Sequence, residues 1–205
     1  MNNIYNIDEV IILSKLASFI AADDLKGTEK LIIRTKKFNK IEPEKIYETI
    51  LQSHLFCGFP AAIESLKIFN EHFSDYKPKI SKYNTSLFSI IGIRNCKLIY
   101  NNNFKKLISN ITELSPDLKE WMLTDGYGKV MGRKGLNLSE REFINVSVLC
   151  TRYYENQLHS HIKGCINLGC DPLDIKNILS ELTQTAGKQN VIKALKLLKS
   201  IIKSN

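Results

Sequence analysis

Three absences bound what this chain of 205 residues can be. No stretch keeps a strict apolar–polar alternation, so a β-sheet has nothing to be built from and an essentially all-α fold is expected. The five cysteines (Cys57, Cys96, Cys150, Cys165, Cys170) are odd in number, show no CxxC or zinc-type spacing and sit mostly in apolar runs. That excludes a disulfide framework and suits a reducing cytosol. No apolar run approaches a membrane span, and the opening MNNIYNIDEV lacks the basic and continuously apolar parts of a signal peptide, so a cytoplasmic protein with no membrane partner is expected. A glycine-rich phosphate loop, a metal-ligand cluster and a Ser-His-Asp arrangement are also missing, and no cofactor or metal is expected.

What is present begins with charge. The formal net charge is +8, which would suit nucleic acid if the cations formed one patch. They are instead mostly lysines strung along helical surfaces and interleaved with acids, so no nucleic-acid partner is expected. The length suffices for a buried core but is short for two independent domains, which points to one compact body or two intimately packed halves.

Helical periodicity runs through most of the chain. Ile7 to Ala22 places Val10, Leu13, Leu16, Ala17 and Ile20 near one face, and a second helix spans about Gly27 to Phe38. Pro43 opens a third, which Gly58 ends before Pro60 starts a fourth running to about Phe73. Residues 74–114 read as the least regular part, a connector packed on the body, with helix expected only over about Asn95 to Ile111. Ser115 and Pro116 cap a helix that Gly126 and Gly128 should end or loosen. Ser139 and Glu142 form a capping box opening the central helix. Asp171 and Pro172 start another helix, Gly187 stops it, and the last runs from about Gln189 to Lys203.

Placing Pro43 over Pro172 brings Ile46 over Ile175, Ile50 over Leu179, Gly58 over Gly187 and Leu66 over Leu195. The shared proline and glycine positions imply two copies of one helical unit, residues 1–73 and 115–205, joined by the connector. In this register His161 lies over Ile32.

The stretch from Arg141 to Gly169 carries the chemistry. At helical spacing His161 shares a face with Gln157 and Cys165, beside an apolar stripe of Leu158, Ile162 and Ile166. A histidine so placed is either a general acid or base or a core histidine bonded to backbone. Cys165, one turn beyond, is either a thiol activated by an imidazolium or a small core residue. His54 either reaches the same pocket or caps its helix. Arg133 and Arg141 either hold an acidic substrate or brace helices. Tyr127 and Tyr154 either line a pocket or pack with a wet hydroxyl.

Arg133, Gly135, Leu136, Arg141, Glu142 and Phe143, followed by His161, Lys163 and Gly164, resemble the carboxymuconolactone decarboxylase-like family, an all-helical group that includes the alkylhydroperoxidase D-type proteins. A further family element, H-x-x-x-G-x-P-A-A, is seen as His54, Gly58, Pro60, Ala61 and Ala62. The resemblance implies a tandem, oligomeric form with two packed helical units. It implies a site in which His161, Gln157 and Cys165 are catalytic and His54, Arg133, Arg141 and Tyr154 bind substrate. The implied reaction is that of a lyase or isomerase on a small organic acid or lactone. Thiol-dependent peroxide reduction is disfavoured, because Tyr154 and Gln157 stand where family peroxidases carry the two cysteines of CxxC. A non-catalytic binding or scaffold role is the third reading.

Overall fold

The computed structural model describes residues 5–38, 40–79 and 83–204. Residues 1–4 of the N-terminal stretch read above, and 80–82 of the connector, lie outside them. Among the described residues the fold is all-α. In chain order the helices are α1 (Ile7–Ala21), α2 (Leu25–Lys37), α3 (Pro43–His72), α4 (Thr85–Tyr100), α5 (Phe104–Leu114), α6 (Pro116–Trp121), α7 (Leu138–Arg152), α8 (Glu155–Asn167), α9 (Pro172–Glu181), α10 (Thr183–Ala186) and α11 (Lys188–Ser204). A 3-10 turn (Asn101–Asn103) joins α4 to α5, and a π-helix (Met122–Val130) continues α6. None of the described helices is long and apolar enough to cross a membrane.

Local chemistry fixes most of these boundaries. Asn6 caps α1 by accepting from the Asp8 and Glu9 amides, Asp24 caps α2 at Gly27, and Pro43, Pro116 and Pro172 occupy first turns where a missing N–H costs nothing. Gly58 breaks α3 at φ 79° and Gly187 separates α10 from α11 at φ 78°, a backbone region that favours glycine. The glycines near Tyr127 loosen their helix rather than end it, and the Met131 amide reaches back five residues to the Gly126 carbonyl.

Two expectations are corrected. The connector is not irregular: α4 and α5 fill most of it, because its apolar residues fall at helical spacing and Asn84 caps α4 at the Leu87 amide. A Cβ on Gly92 would lie 1.9 Å from the Leu123 carbonyl oxygen, and one on Gly128 would lie 2.1 Å from that of Phe88, so α4 and the π-helix cross backbone to backbone. The capping box of α7 is Asn137 with Glu140, not Ser139 with Glu142. That earlier start turns Glu142 into the interior.

Helix α7 is the axis of the fold. It packs on α1, α3 and α8, and every residue from Ser139 to Cys150 is buried. One apolar cluster gathers α1, α7, α8, α9 and α11 around Phe143, Leu149, Leu158 and Ile162. A second gathers α1, α2, α3 and α7 around Leu13, Ile32, Ile50 and Phe69. A helix buried on all sides is ordinarily apolar throughout. This one carries Glu140, Arg141, Glu142, Asn145 and Ser147, and their partners define the site.

Candidate functional site

Four helices converge on His161. Its Nδ1 lies 2.7 Å from Oε2 of Glu142, a fully buried carboxylate reaching across from α7. The rings of Phe56 from α3 and Tyr100 from α4 meet the imidazole edge to face, at centroid distances of 6.0 and 6.4 Å. A carboxylate can only accept, so Nδ1 carries the hydrogen and Nε2 presents its lone pair. Glu142 is the sole hydrogen-bond partner of His161 among the described residues. Gly164 makes the approach possible, since a Cβ there would fall 2.7 Å from Glu142 Oε2.

Behind this pair runs an unbroken buried chain of polar groups. Asn145 donates to Glu142 Oε1 at 2.9 Å, and Gln52 donates to Asn145 Oδ1 at 2.7 Å and to the Arg141 carbonyl at 2.8 Å. Arg141 donates through Nη1 to Gln52 Oε1 at 3.0 Å and through Nη2 to Glu48 Oε2 at 3.0 Å. Arg133 closes the chain, with Nε and Nη2 on Glu48 Oε1 at 2.9 and 2.8 Å. Burial pushes the Arg141 guanidinium down from its ordinary value and Glu48 opposes the shift, whereas the hydrogen bonds to Glu48 raise that of Arg133. Unpairing any member would strand a desolvated polar group, which makes this chain a rigid frame for Glu142.

Tyr100 and Tyr127 share a hydroxyl–hydroxyl contact of 2.8 Å beside the histidine. Burial first, and then the Glu142 charge for Tyr100 and the neighbouring Tyr100 hydroxyl for Tyr127, drive both phenols up, so they stay protonated. The thiols are similarly quiet. All five cysteines are free, and burial pushes Cys96 and Cys150 up to about 12 and Cys165 well above its ordinary value. Cys170 alone is lowered, by a hydrogen bond from Cys165, yet it is buried.

The other residues singled out in the sequence are scattered. Gln157 and Tyr154 are exposed at the start of α8, neither joined to His161. Cys165 is wholly buried in the apolar cluster. Arg141 is fully buried and, with Arg133, is committed to Glu48, so both brace α3 against α7. His54 bonds through Nδ1 to the Leu51 carbonyl, stacks on Phe59 and lines a cavity whose wall does not include His161. The residues that sequence reasoning missed are Glu142, Glu48, Gln52 and Asn145. The only available signal was four polar residues on otherwise apolar helical faces. No cluster of side chains suited to a metal ion occurs among the described residues.

Residues 116–200 match the carboxymuconolactone decarboxylase family. The chain is 26% identical over 109 residues to Peroxisomal protein 2 of Saccharomyces cerevisiae, covering 50% of this chain and 38% of that protein. It is 24% identical over 80 residues to 4-carboxymuconolactone decarboxylase of Acinetobacter baylyi, covering 39% of this chain and 60% of that protein. The chain thus spans only part of the length of the curated relatives it matches. The family match falls on the segment that holds α7, α8 and the Glu142–His161 pair, and it is there that the chain is similar to the carboxymuconolactone decarboxylase family.

Proposed function

We propose that the protein is an acid–base catalyst of the carboxymuconolactone decarboxylase type, a lyase or isomerase acting on a small organic acid or lactone. The observation that carries this reading is the 2.7 Å bond between His161 and the buried Glu142. A carboxylate on Nδ1 fixes the tautomer and the ring orientation, and so aims Nε2 at whatever it protonates. Loss of a carboxylate as carbon dioxide leaves an electron pair that a conjugated carbonyl spreads and a proton quenches. His161 Nε2 first takes up a proton from solvent and then, as the imidazolium, delivers it to that carbon and returns to the tautomer protonated at Nδ1. Glu142 is a positioning residue, and the chain from Asn145 to Arg133 holds it in place.

Two features of the chain fit a duplicated origin. Helices α1 and α7 each have 15 residues and α2 and α8 each have 13. The turns between them place Asp23 and Tyr153 at φ 55° and 52°. We take the assembly to be a homo-oligomer, because single-copy members of such folds usually complete their sites by association.

The thiol-dependent reading has less support, since the buried thiols are poor nucleophiles at neutral pH. A non-catalytic binding role is favoured by one observation, that His161 is only 6% exposed. Turnover of a carboxylated lactone, followed by carbon dioxide release, separates these readings. Under the acid–base reading His161→Ala lowers the rate by about 10²–10⁴-fold and Glu142→Gln by a smaller factor, while replacement of all five cysteines by serine leaves it intact. Turnover indifferent to His161→Ala refutes the reading.

A further inference from the structure

The cavity that His54 lines has no role in the acid–base pair, yet it is built like a ligand site. It encloses about 620 Å³, within the range of small-molecule pockets. Its walls come from α3, from Tyr76, Lys79 and Tyr83 between α3 and α4, from α4, from the π-helix and from the loop that follows it. They are apolar and aromatic, with Tyr47, Phe59, Tyr76 and Phe88 among the rings and Leu51, Ile63 and Leu66 among the aliphatic side chains.

The charges around it are unequal. Glu48 in its floor is matched by both Arg133 and Arg141, which leaves that group with an excess positive charge. Lys79, Lys129 and Lys134 also line the cavity, against the single further acid Glu44. Lys129 lies 3.5 Å from the exposed Asp125, while Lys79 and Lys134 have no acidic partner among the described residues. His54 adds a directed group. With Nδ1 donating to the Leu51 carbonyl, its Nε2 is left as an acceptor without a partner among the described residues.

We propose that this cavity is a second, separate binding site, for a planar aromatic or conjugated carboxylate. The ring system stacks among Tyr47, Phe59 and Tyr76, and the carboxylate faces Lys129 and Lys134. A polar substituent on the ring bonds to His54 Nε2. The proposal does not depend on the reaction assigned to His161, because neither His161 nor Glu142 lines the cavity; the two sites meet only through Glu48 and Arg133, which frame the one and wall the other.

The test is calorimetric titration of the full chain with 2-naphthoate, beside its neutral amide and the cationic 2-naphthylmethylammonium. One molecule binds per chain, and the carboxylate binds at least about tenfold tighter than the amide. Ile63→Trp, which adds bulk at a half-exposed wall position, and the pair Lys129→Glu with Lys134→Glu each weaken binding at least about tenfold. These positions lie at or near the surface, and circular dichroism confirms that the variants fold. His161→Ala leaves the affinity unchanged. Binding that survives Ile63→Trp, that disappears in His161→Ala, or that favours the ammonium over the carboxylate overturns the proposal.

Discussion

The α1–α2 pair and the α7–α8 pair have the same helix lengths and each turns through a residue of positive φ, Asp23 or Tyr153, but they are filled differently. Where α7 carries Arg141, Glu142 and Asn145, α1 carries Val10, Ile11 and Ser14, and where α8 carries His161 and Gly164, α2 carries Leu31 and Arg34. Aligned by helix ends, His161 stands over Leu31 rather than Ile32, since the register drifts between the pairs. One pair is held mainly by apolar packing, with only small hydroxyl residues (Ser14, Ser18, Thr28, Thr35) among its buried polar groups. The other spends its central helix on a polar chain that contributes little net stability over a packed apolar core and is costly when broken. The difference teaches that the scaffold does not require the dyad. On the proposed function, the polar filling serves the site.

The largest effect that would sharpen this contrast is at Arg141. Arg141→Ala leaves Glu48 buried with only Arg133 and strands Gln52, for an expected loss of about 3–5 kcal/mol in urea unfolding. Val10→Ala, its counterpart, costs about 2 kcal/mol by lost apolar burial. Equal losses would mean that the polar chain behaves as ordinary packing. Next is Gly164→Ala, which drives a methyl toward Glu142 Oε2 and Ile99 and costs about 1–3 kcal/mol. Its counterpart Arg34→Ala, on an exposed face of α2, stays within about 0.5 kcal/mol.

A smaller effect on stability, with a complete effect on turnover, is expected when the second pair is rewritten to match the first. The double variant Glu142→Ile with His161→Leu should lose only about 1 kcal/mol, because exchanging both partners of a buried pair for apolar groups is often neutral and the remaining cost is the Asn145 donor, left with the weak acceptor Met131 Sδ. Its lactone turnover should vanish. A folded double variant with turnover intact would break the comparison. The smallest effect is in thiol labelling: iodoacetamide at neutral pH should modify Cys57 first and slowly, its thiol raised by burial, and spare the more deeply buried Cys150 and Cys165.

Much of the fold was legible. Pro43, Pro116 and Pro172 mark helix starts, Gly58 and Gly187 mark breaks, and the periodicity of α1 and α11 identifies their buried faces. The polar site was less so, for a definite reason. The partners of His161 were sought on its own helix, at Gln157 and Cys165, but its partner is a carboxylate from α7, reached through a tertiary contact that helical spacing cannot encode, while Gln157 stands exposed. Assigning Glu142 to a capping box also hid it, because a start at Ser139 rather than Asn137 places it in the first turn, where acids are normally solvated. Likewise the role of Arg133 and Arg141 depends on Glu48, a residue of α3 brought in from far along the chain.

The central claim is that Glu142 holds His161 with the proton on Nδ1 and leaves Nε2 to exchange protons. Nitrogen-15 NMR of histidine-labelled protein at neutral pH reads this directly, with His161→Gln used to assign the signal. The expected result is a His161 with a strongly hydrogen-bonded proton on Nδ1, and loss of that bonded proton in Glu142→Gln. A His161 protonated at Nε2, or one whose spectrum is unchanged by Glu142→Gln, would contradict the account.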